Sequence, residues 1–502
     1  MRNVISSFLQ KEKAEKFFVL ALMAVIALGI LFRARHYLAG RSLWLDEAMI
    51  ALDIIQLSFW ELTQQPLPYQ QGAPIGFLFF VKTTTLFFGD SEYAFRLYSL
   101  LTSCASLFLI AILAKRYLNK AGTIFSVALF ASSSTLIYYS AETKQYMGDV
   151  AASLFLLVLL SSQLMKSFSS REIIFFTFTN IMILWFSHSV VFTVAAVGIV
   201  LALHYLKQRD KKALSYAIIN LSLSGISASL LYWFHLRPLS ASDFLRSFWE
   251  DAFVPIPPTI QWFGKFWASI LQNPLGLDGH SIILFLLLLG GIVFLWRTKW
   301  QVALALLLTM AFTFVAGLIQ KYPLAERMML FSVPIFLLFF GAGLDKLSSL
   351  IKSKNLSFGI TLLLAAYILY SPVSSSFEKL KAPLYREHIR PSMGYIKDHF
   401  KEDDTIYVYY FAEPAFLFYL PKYHLENSPY ILGGNHQGQP NDFLNEIDEL
   451  DGRVWFIFSH VHENASINEE DFIVNYLNKR GALDREFRVP GTSVSLYLYE
   501  LY

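Results

Sequence analysis

The chain has 502 residues, 55% of them hydrophobic and only 16% charged, with 41 Lys and Arg against 38 Asp and Glu. A soluble protein of this length cannot hide so much apolar surface, so the composition points to a polytopic membrane protein. The net charge of +3 comes without a basic patch interleaved with aromatics, which argues against a nucleic-acid partner, and the single cysteine, Cys104, excludes disulfides and cysteine-based metal sites.

The N-terminus, MRNVISSFLQKEKAEKFFVLALMAVIALGILF, places basic residues before an apolar run. It lacks a small-residue cleavage site and reads as an uncleaved first span. Runs near the roughly 20 apolar residues that cross a bilayer recur along the chain. Eleven are predicted, at about 17–32, 97–114, 121–138, 146–165, 173–187, 189–206, 213–234, 281–296, 301–319, 327–343 and 356–372. Alternate loops between them are basic, carrying Lys11, Lys13 and Lys16, then Lys115, Arg116 and Lys120, then Lys166 and Arg171. The series continues with Lys207, Arg209, Lys211 and Lys212, with Arg297 and Lys299, and with Lys346, Lys352 and Lys354. Basic short loops face the cytoplasm, which predicts an inner or plasma membrane protein with its amino end inside and its carboxyl end outside.

APIGFLFFVKTTTLFF, 73–88, is too short for a span and reads as a juxtamembrane helix on the outer surface, with a second around 47–60. The outer loop 235–280 is rich in Trp, Phe and Pro, a composition suited to the headgroup level. After residue 375 the pattern changes. DDTIYVYYFAEPAFLFYL, GRVWFIFSH and TSVSLYLYE read as strands, with helical patterns near 386–399, 441–448 and 468–479. The expected architecture is a transmembrane domain over 1–374 followed by a small extracytoplasmic α/β domain over 375–502.

With this topology a set of polar residues gathers at the outer face: Asp46 and Glu47 in SLWLDEAMIALDII, Glu142 and Lys144 in YSAETKQY, His188 in WFSHSVV, and Lys321, Glu326 and Arg327 in QKYPLAERMML. Each is expensive in lipid and is expected to face protein or a water-filled cavity. Neighbours on a helix project about 100° apart, so Asp46 and Glu47 cannot serve one point equally. One should face a reaction, for which Asp46 beside Trp44 is the choice, and the other should orient a loop. The competing reading is that the pair merely suits the first turn of a helix. Glu142 and Lys144 equally suit a solvated ion-pair turn, His188 an interfacial histidine, and Arg327 a snorkelling anchor. His460 and His462 in FSHVHENAS could bind a metal but read first as loop residues, and Asp403 with Asp404 as a polar turn. No Asp-x-Asp marks a metal site in the outer loops, although Asp46, Glu142 and His188 together could ligate a divalent ion.

LWLDEA after the first span, YSAETKQY after the third, a histidine between the fifth and sixth, and YPLAERMMLFSVPIFLLF resemble membrane glycosyltransferases of the GT-C fold. The resemblance is to the branch holding protein O-mannosyltransferases and lipid A aminoarabinose transferases, and it covers about 17–370. It implies a polyprenyl-phosphate-linked sugar donor and transfer to a glycan, lipid or protein acceptor at the outer membrane face. Asp46 matches the family's catalytic carboxylate, Glu47 its partner, Glu142 the acid of the second outer loop, and Arg327 an arginine associated with the donor phosphate. Lys144 stands where many members have Arg, and Tyr146 closes the same motif. His188 and Lys321 complete the expected substrate-binding set. QQGAPIGF keeps Pro74 but lacks the His or Lys that some members carry beside it. The rival reading is a transporter or flippase of lipid-linked sugars, which should show paired repeats and polar residues at the bilayer midplane. No such repeat is found, and the charges gather at one face.

Overall fold

A computed structural model describes every residue except Met1, Gln65, 166–169, Asp278, 437–438, His462 and 465–466. Two sequence readings, Lys166 in an inner loop and His462 beside His460, lie outside the described residues. Among the described residues eight helices are long and apolar enough to cross a membrane: Glu12–Leu38, Glu92–Tyr117, Tyr146–Gln163, Val190–Gln208, Lys211–Ser240, Ser281–Leu318, Glu326–Leu350 and Lys354–Lys381. The difference from eleven has local causes. The 38-residue helix Ser281–Leu318 is broken at Lys299 (φ −147°, ψ 60°) and carries two predicted spans. The span predicted at 121–138 is split at Ser133 into Lys120–Ser132 and Ser134–Tyr139, and the Ser133 hydroxyl caps the second piece. The span predicted at 173–187 is the 17-residue helix Ser170–Phe186.

The helix Val333–Leu350 is the bundle's centre, with every residue from Val333 to Asp345 buried. It touches Ser281–Leu318 backbone to backbone. A Cβ on Gly291 would stand 1.9 Å from the Phe339 carbonyl oxygen, and one on Gly343 would stand 2.0 Å from that of Leu287. Without water to drive burial, membrane helices associate through such close packing at small residues. Arg33 donates to Ser103 Oγ at 2.7 Å and to the carbonyls of Gly29, Phe130 and Ala131.

The two short helices expected between the first two spans form, as Leu45–Gln56 and Ile75–Phe88. They do not lie against the bundle alone. One apolar core joins Ile50, Ile54, Phe77 and Phe95 to Phe416, Phe418 and Tyr419 of the carboxyl-terminal part, with Phe95 and Phe418 ring centres 5.7 Å apart.

The carboxyl-terminal part is a five-stranded mixed sheet. Its order is Tyr430–Leu432, Thr405–Val408, Gly452–Phe458, Ser495–Leu501, Gly481–Arg488; the first three strands run parallel and the last two are added antiparallel. The helix Lys354–Lys381 runs through the expected boundary at 375. DDTIYVYYFAEPAFLFYL is a strand only to Val408, because Pro414 opens the helix Glu413–Tyr419. The strands Tyr430–Leu432 and Gly481–Arg488 were not read from sequence; their exposed edge positions give no clean alternation.

Candidate active site

Glu47 is sealed. It is fully buried and receives both arms of Arg96, Nε to Oε1 at 2.8 Å and Nη2 to Oε2 at 2.6 Å. Its Oε1 also accepts the Thr143 amide at 2.7 Å, and its Oε2 reaches back to the Trp44 amide at 3.5 Å. Arg96 then ties the carbonyls of Arg41 and Ser42. Glu47 thus joins the turn before the helix Leu45–Gln56 to the turn after Tyr139. Burial alone would raise its carboxyl, but Arg96 and Arg41 prevail and hold it below the ordinary value. Both acids stand in the first turn of this helix, but Trp44 is its N-cap residue, and it is Glu47 that reaches back to the Trp44 amide as the N3 member of a capping box.

Asp46 points elsewhere. Its Oδ2 lies 2.6 Å from Arg327 Nη1, with 17% and 14% of the two side chains exposed. Burial works against its charge, yet Lys144 and Arg327 together keep the carboxyl below the usual carboxylate range, with His460 adding to the effect. Arg327 sits on the 3₁₀ turn Glu326–Ser332, among the rings of Trp249 at 5.7 Å, Trp44 at 5.9 Å and Tyr146 at 6.0 Å. Trp249 comes from the aromatic segment 235–280. Lys144 is buried and donates to Gln71 Oε1 at 2.5 Å, not to Glu142, and burial draws its ammonium below its usual value. The expected ion-pair turn between Glu142 and Lys144 does not form. Glu142 instead accepts the Trp44 indole N–H through Oε1, and its Oε2 is buried without a partner. Burial, reinforced by Glu47, pushes its carboxyl up to about 7.

The structure thus brings Asp46, Glu47, Glu142, Lys144, Tyr146 and Arg327 together. It does not bring in His188 or Lys321. His188 lies tilted against His235, ring centres 5.3 Å apart, and burial lowers its imidazole to about 3. Lys321 is exposed on the turn before Arg327. Among the described residues no three His, Cys, Asp or Glu side chains converge to hold a metal ion, so Asp46, Glu142 and His188 do not form the metal site considered from sequence.

Sequence reasoning missed the contribution of the carboxyl-terminal part. His460, read as a loop residue, adopts φ 53° just beyond the strand Gly452–Phe458. Its ring lies 6.2 Å from Trp44, and its Nδ1 pairs with Glu387 Oε1 at 2.6 Å. Ligands of parallel sheets gather at the carboxyl ends of strands, and this end of the sheet is the one turned to Trp44. Asp404, by contrast, is a buried structural acid that receives Arg453 Nε and Trp455 Nε1, both at 2.8 Å.

The whole chain superposes on ArnT from Cupriavidus metallidurans in the apo state with a TM-score of 0.53, over 97% of this chain and 98% of that one, at 11% identity. The chain has the GT-C fold. The same protein bound to undecaprenyl phosphate gives TM-score 0.53 at 12% identity, with the same 97% and 98% coverage. The Archaeoglobus fulgidus oligosaccharyltransferase aligns at TM-score 0.49 and 11% identity, over 95% of this chain and 73% of its own. Residues 72–233 match the family model described as dolichyl-phosphate-mannose-protein mannosyltransferase. That segment holds Glu142, Lys144 and Tyr146, while Asp46, Glu47 and Arg327 lie outside it. No curated protein matches the chain. Family match and GT-C fold together indicate a membrane glycosyltransferase.

Proposed function

We propose that the protein moves a hexosyl or pentosyl group from a polyprenyl-phosphate donor to a glycan, lipid or protein acceptor at the outer face of the membrane, with inversion at the anomeric carbon. The observation that carries this reading is the part-exposed Asp46–Arg327 pair at 2.6 Å with Lys144 beside it. The undecaprenyl phosphate bound by ArnT supports a lipid phosphate as the donor's carrier. The basic inner loops support the placement of the site outside.

The chemistry follows from the leaving group. A departing phosphate ester is already a good leaving group, so the site needs cations more than an acid. Lys144 and Arg327 supply them. Asp46 accepts the proton of the acceptor hydroxyl or amine from the opposite side of the sugar. Alone in the resting site, Asp46 is a weak base because Lys144 and Arg327 neutralise it against the pull of burial. A donor phosphate competes for the same guanidinium. When Arg327 turns to the phosphate, Asp46 loses its partner and its basicity rises, so the base is switched on by the donor it serves.

The deciding experiment uses the purified protein in sealed vesicles loaded with an undecaprenyl-phosphate-linked sugar. Transfer releases free lipid phosphate and moves the sugar to an added envelope extract. Movement of the intact lipid-linked sugar between leaflets, with no cleavage, would instead establish the transporter reading.

A further inference from the structure

The segment that joins the helix Lys354–Lys381 to the sheet is held against the turn before Asp46 along its length. Glu387 is buried; its Oε2 accepts the Leu45 amide at 2.9 Å and its Oε1 pairs with His460. His388 Nδ1 lies 2.8 Å from Ser42 Oγ. The Arg390 amide donates to Ser42 Oγ at 3.3 Å, and Arg390 Nη1 donates to the Gly40 carbonyl at 2.8 Å. Tyr419, further on, accepts the Leu43 amide through its hydroxyl at 2.9 Å.

Arg386 opens this run and differs from the rest. It is exposed, and among the described residues its guanidinium makes no hydrogen bond or ion pair. It lies 4.6 Å from the centre of the Trp44 ring, which the Glu142 carboxylate fixes through the indole N–H. Arg327 reaches the same ring at 5.9 Å, and its Nε is buried without a partner. Two guanidiniums therefore meet one indole beside Asp46. Arg327 has a carboxylate in contact, while Glu142 and Glu387, the acids nearest Arg386 in electrostatic terms, are committed to Trp44, Leu45 and His460. The backbone behind Arg386 is clamped and its five N–H donors are unused. A planar guanidinium held in this way is preorganised for two-point contact with a phosphate or carboxylate.

We propose that Arg386 is a substrate-binding residue that takes an anionic oxygen group, phosphate or carboxylate, beside the Trp44 ring and within reach of Asp46. The group belongs either to the donor's lipid phosphate or to the acceptor. This inference rests on the glycosyl transfer proposed above for the identity of the two substrates, and on Arg386 alone for the contact.

The test compares the full chain with Arg386→Gln and Arg386→Lys, using two probes, undecaprenyl phosphate and inorganic phosphate. Because Arg386 is exposed, both variants should melt with the wild type, and the melting temperature checks this. Arg386→Gln should lose about tenfold or more in affinity for one probe, the scale of a lost charge-assisted hydrogen bond, and Arg386→Lys should recover only part. Weakened undecaprenyl phosphate binding assigns the contact to the donor. Unchanged lipid binding, with weakened inorganic phosphate binding to the lipid-loaded protein, assigns it to the acceptor. Equal affinity of wild type and Arg386→Gln for both probes, or no binding of either by the wild type, overturns the proposal. Failure of the donor reading shows separately, as undecaprenyl phosphate binding that is absent from the wild type or insensitive to Arg327→Gln.

Discussion

Asp46 Oδ2 and Arg327 Nη1 meet at 2.6 Å although 281 positions separate them in the chain. The contact ties the helix Leu45–Gln56 to the turn that enters the most deeply buried span. The two residues are therefore not independent parts of the site but a contacting pair of opposite charge.

The first prediction concerns the cations. Arg327→Gln and Lys144→Gln should each weaken binding of undecaprenyl phosphate, since a charge-assisted bond to phosphate is worth about 1.5–3 kcal/mol. They should differ in stability. Lys144 is buried against the Gln71 amide, while Arg327 keeps a water-exposed fraction. Calorimetric titration of each variant with the lipid measures the affinity and thermal melting the stability; full affinity in both would remove these cations from the donor site.

Glu47 yields a prediction of a different kind. From sequence, a loop-orienting role suggests that Glu47→Gln is mild. The structure makes it severe, because the change leaves Arg96 buried at 2.6–2.8 Å from a group without charge. Removing one member of a buried pair costs about 3–5 kcal/mol. The variant should lose thermal stability and yield before any kinetic effect can be read, and Arg96→Gln should do the same. A Glu47→Gln protein with the wild-type melting temperature contradicts this account.

What the sequence made legible was whatever depended on local pattern. Spans follow from apolar run length, and the short helices Leu45–Gln56 and Ile75–Phe88 from runs too brief to cross. The opposite fates of Asp46 and Glu47 follow from the 100° between helical neighbours. Glu387 and His460 were not legible, because their partners Leu45 and Trp44 lie hundreds of positions away and nothing in REHIR or FSHVHE announces them. Arg96 offered a signal, a charge at the head of an apolar run, that the span reading passed over. Glu142 and Lys144, two apart, suggest a pair; the backbone turn sends one side chain to Trp44 and the other to Gln71.

A pH prediction comes from Glu142. Burial, with Glu47 second, raises its carboxyl from 4.5 to about 7 in the folded protein. Between those values the unfolded chain has released the proton while the folded protein still holds it. Stability therefore falls as pH rises through this window and levels off above it. Asp53, also raised to about 7 by burial, adds to the same slope. Glu142→Gln keeps an acceptor for the Trp44 indole but cannot ionise. Its melting temperature should fall less steeply between about pH 5 and 7, and at higher pH it should exceed that of the wild type. An identical slope in both proteins would mean that Glu142 is not held protonated.

Asp46 decides the mechanism. Asp46→Asn preserves shape and can still accept a hydrogen bond from Arg327, but it cannot take a proton from the acceptor. General-base catalysis is typically worth about 10²–10⁴-fold, and transfer should fall by that order. Because the substitution removes a charge that competes for Arg327, undecaprenyl phosphate should bind as well as in the wild type or more tightly. That pairing of slower turnover with undiminished donor affinity separates a lost base from a damaged donor site. Stability should fall less than for Glu47→Gln, because the Asp46–Arg327 side chains keep 17% and 14% exposure while Glu47 is sealed. Trp44, not Asp46, occupies the helix cap, so a loss of capping does not account for a fall in rate. The pH profile adds a second readout: if donor binding frees Asp46 from Arg327, the acidic limb of kcat should lie at higher pH than the acidic limb of kcat/KM, which reports the free enzyme. A folded Asp46→Asn enzyme turning over at the wild-type rate would eliminate the base, whatever the fold.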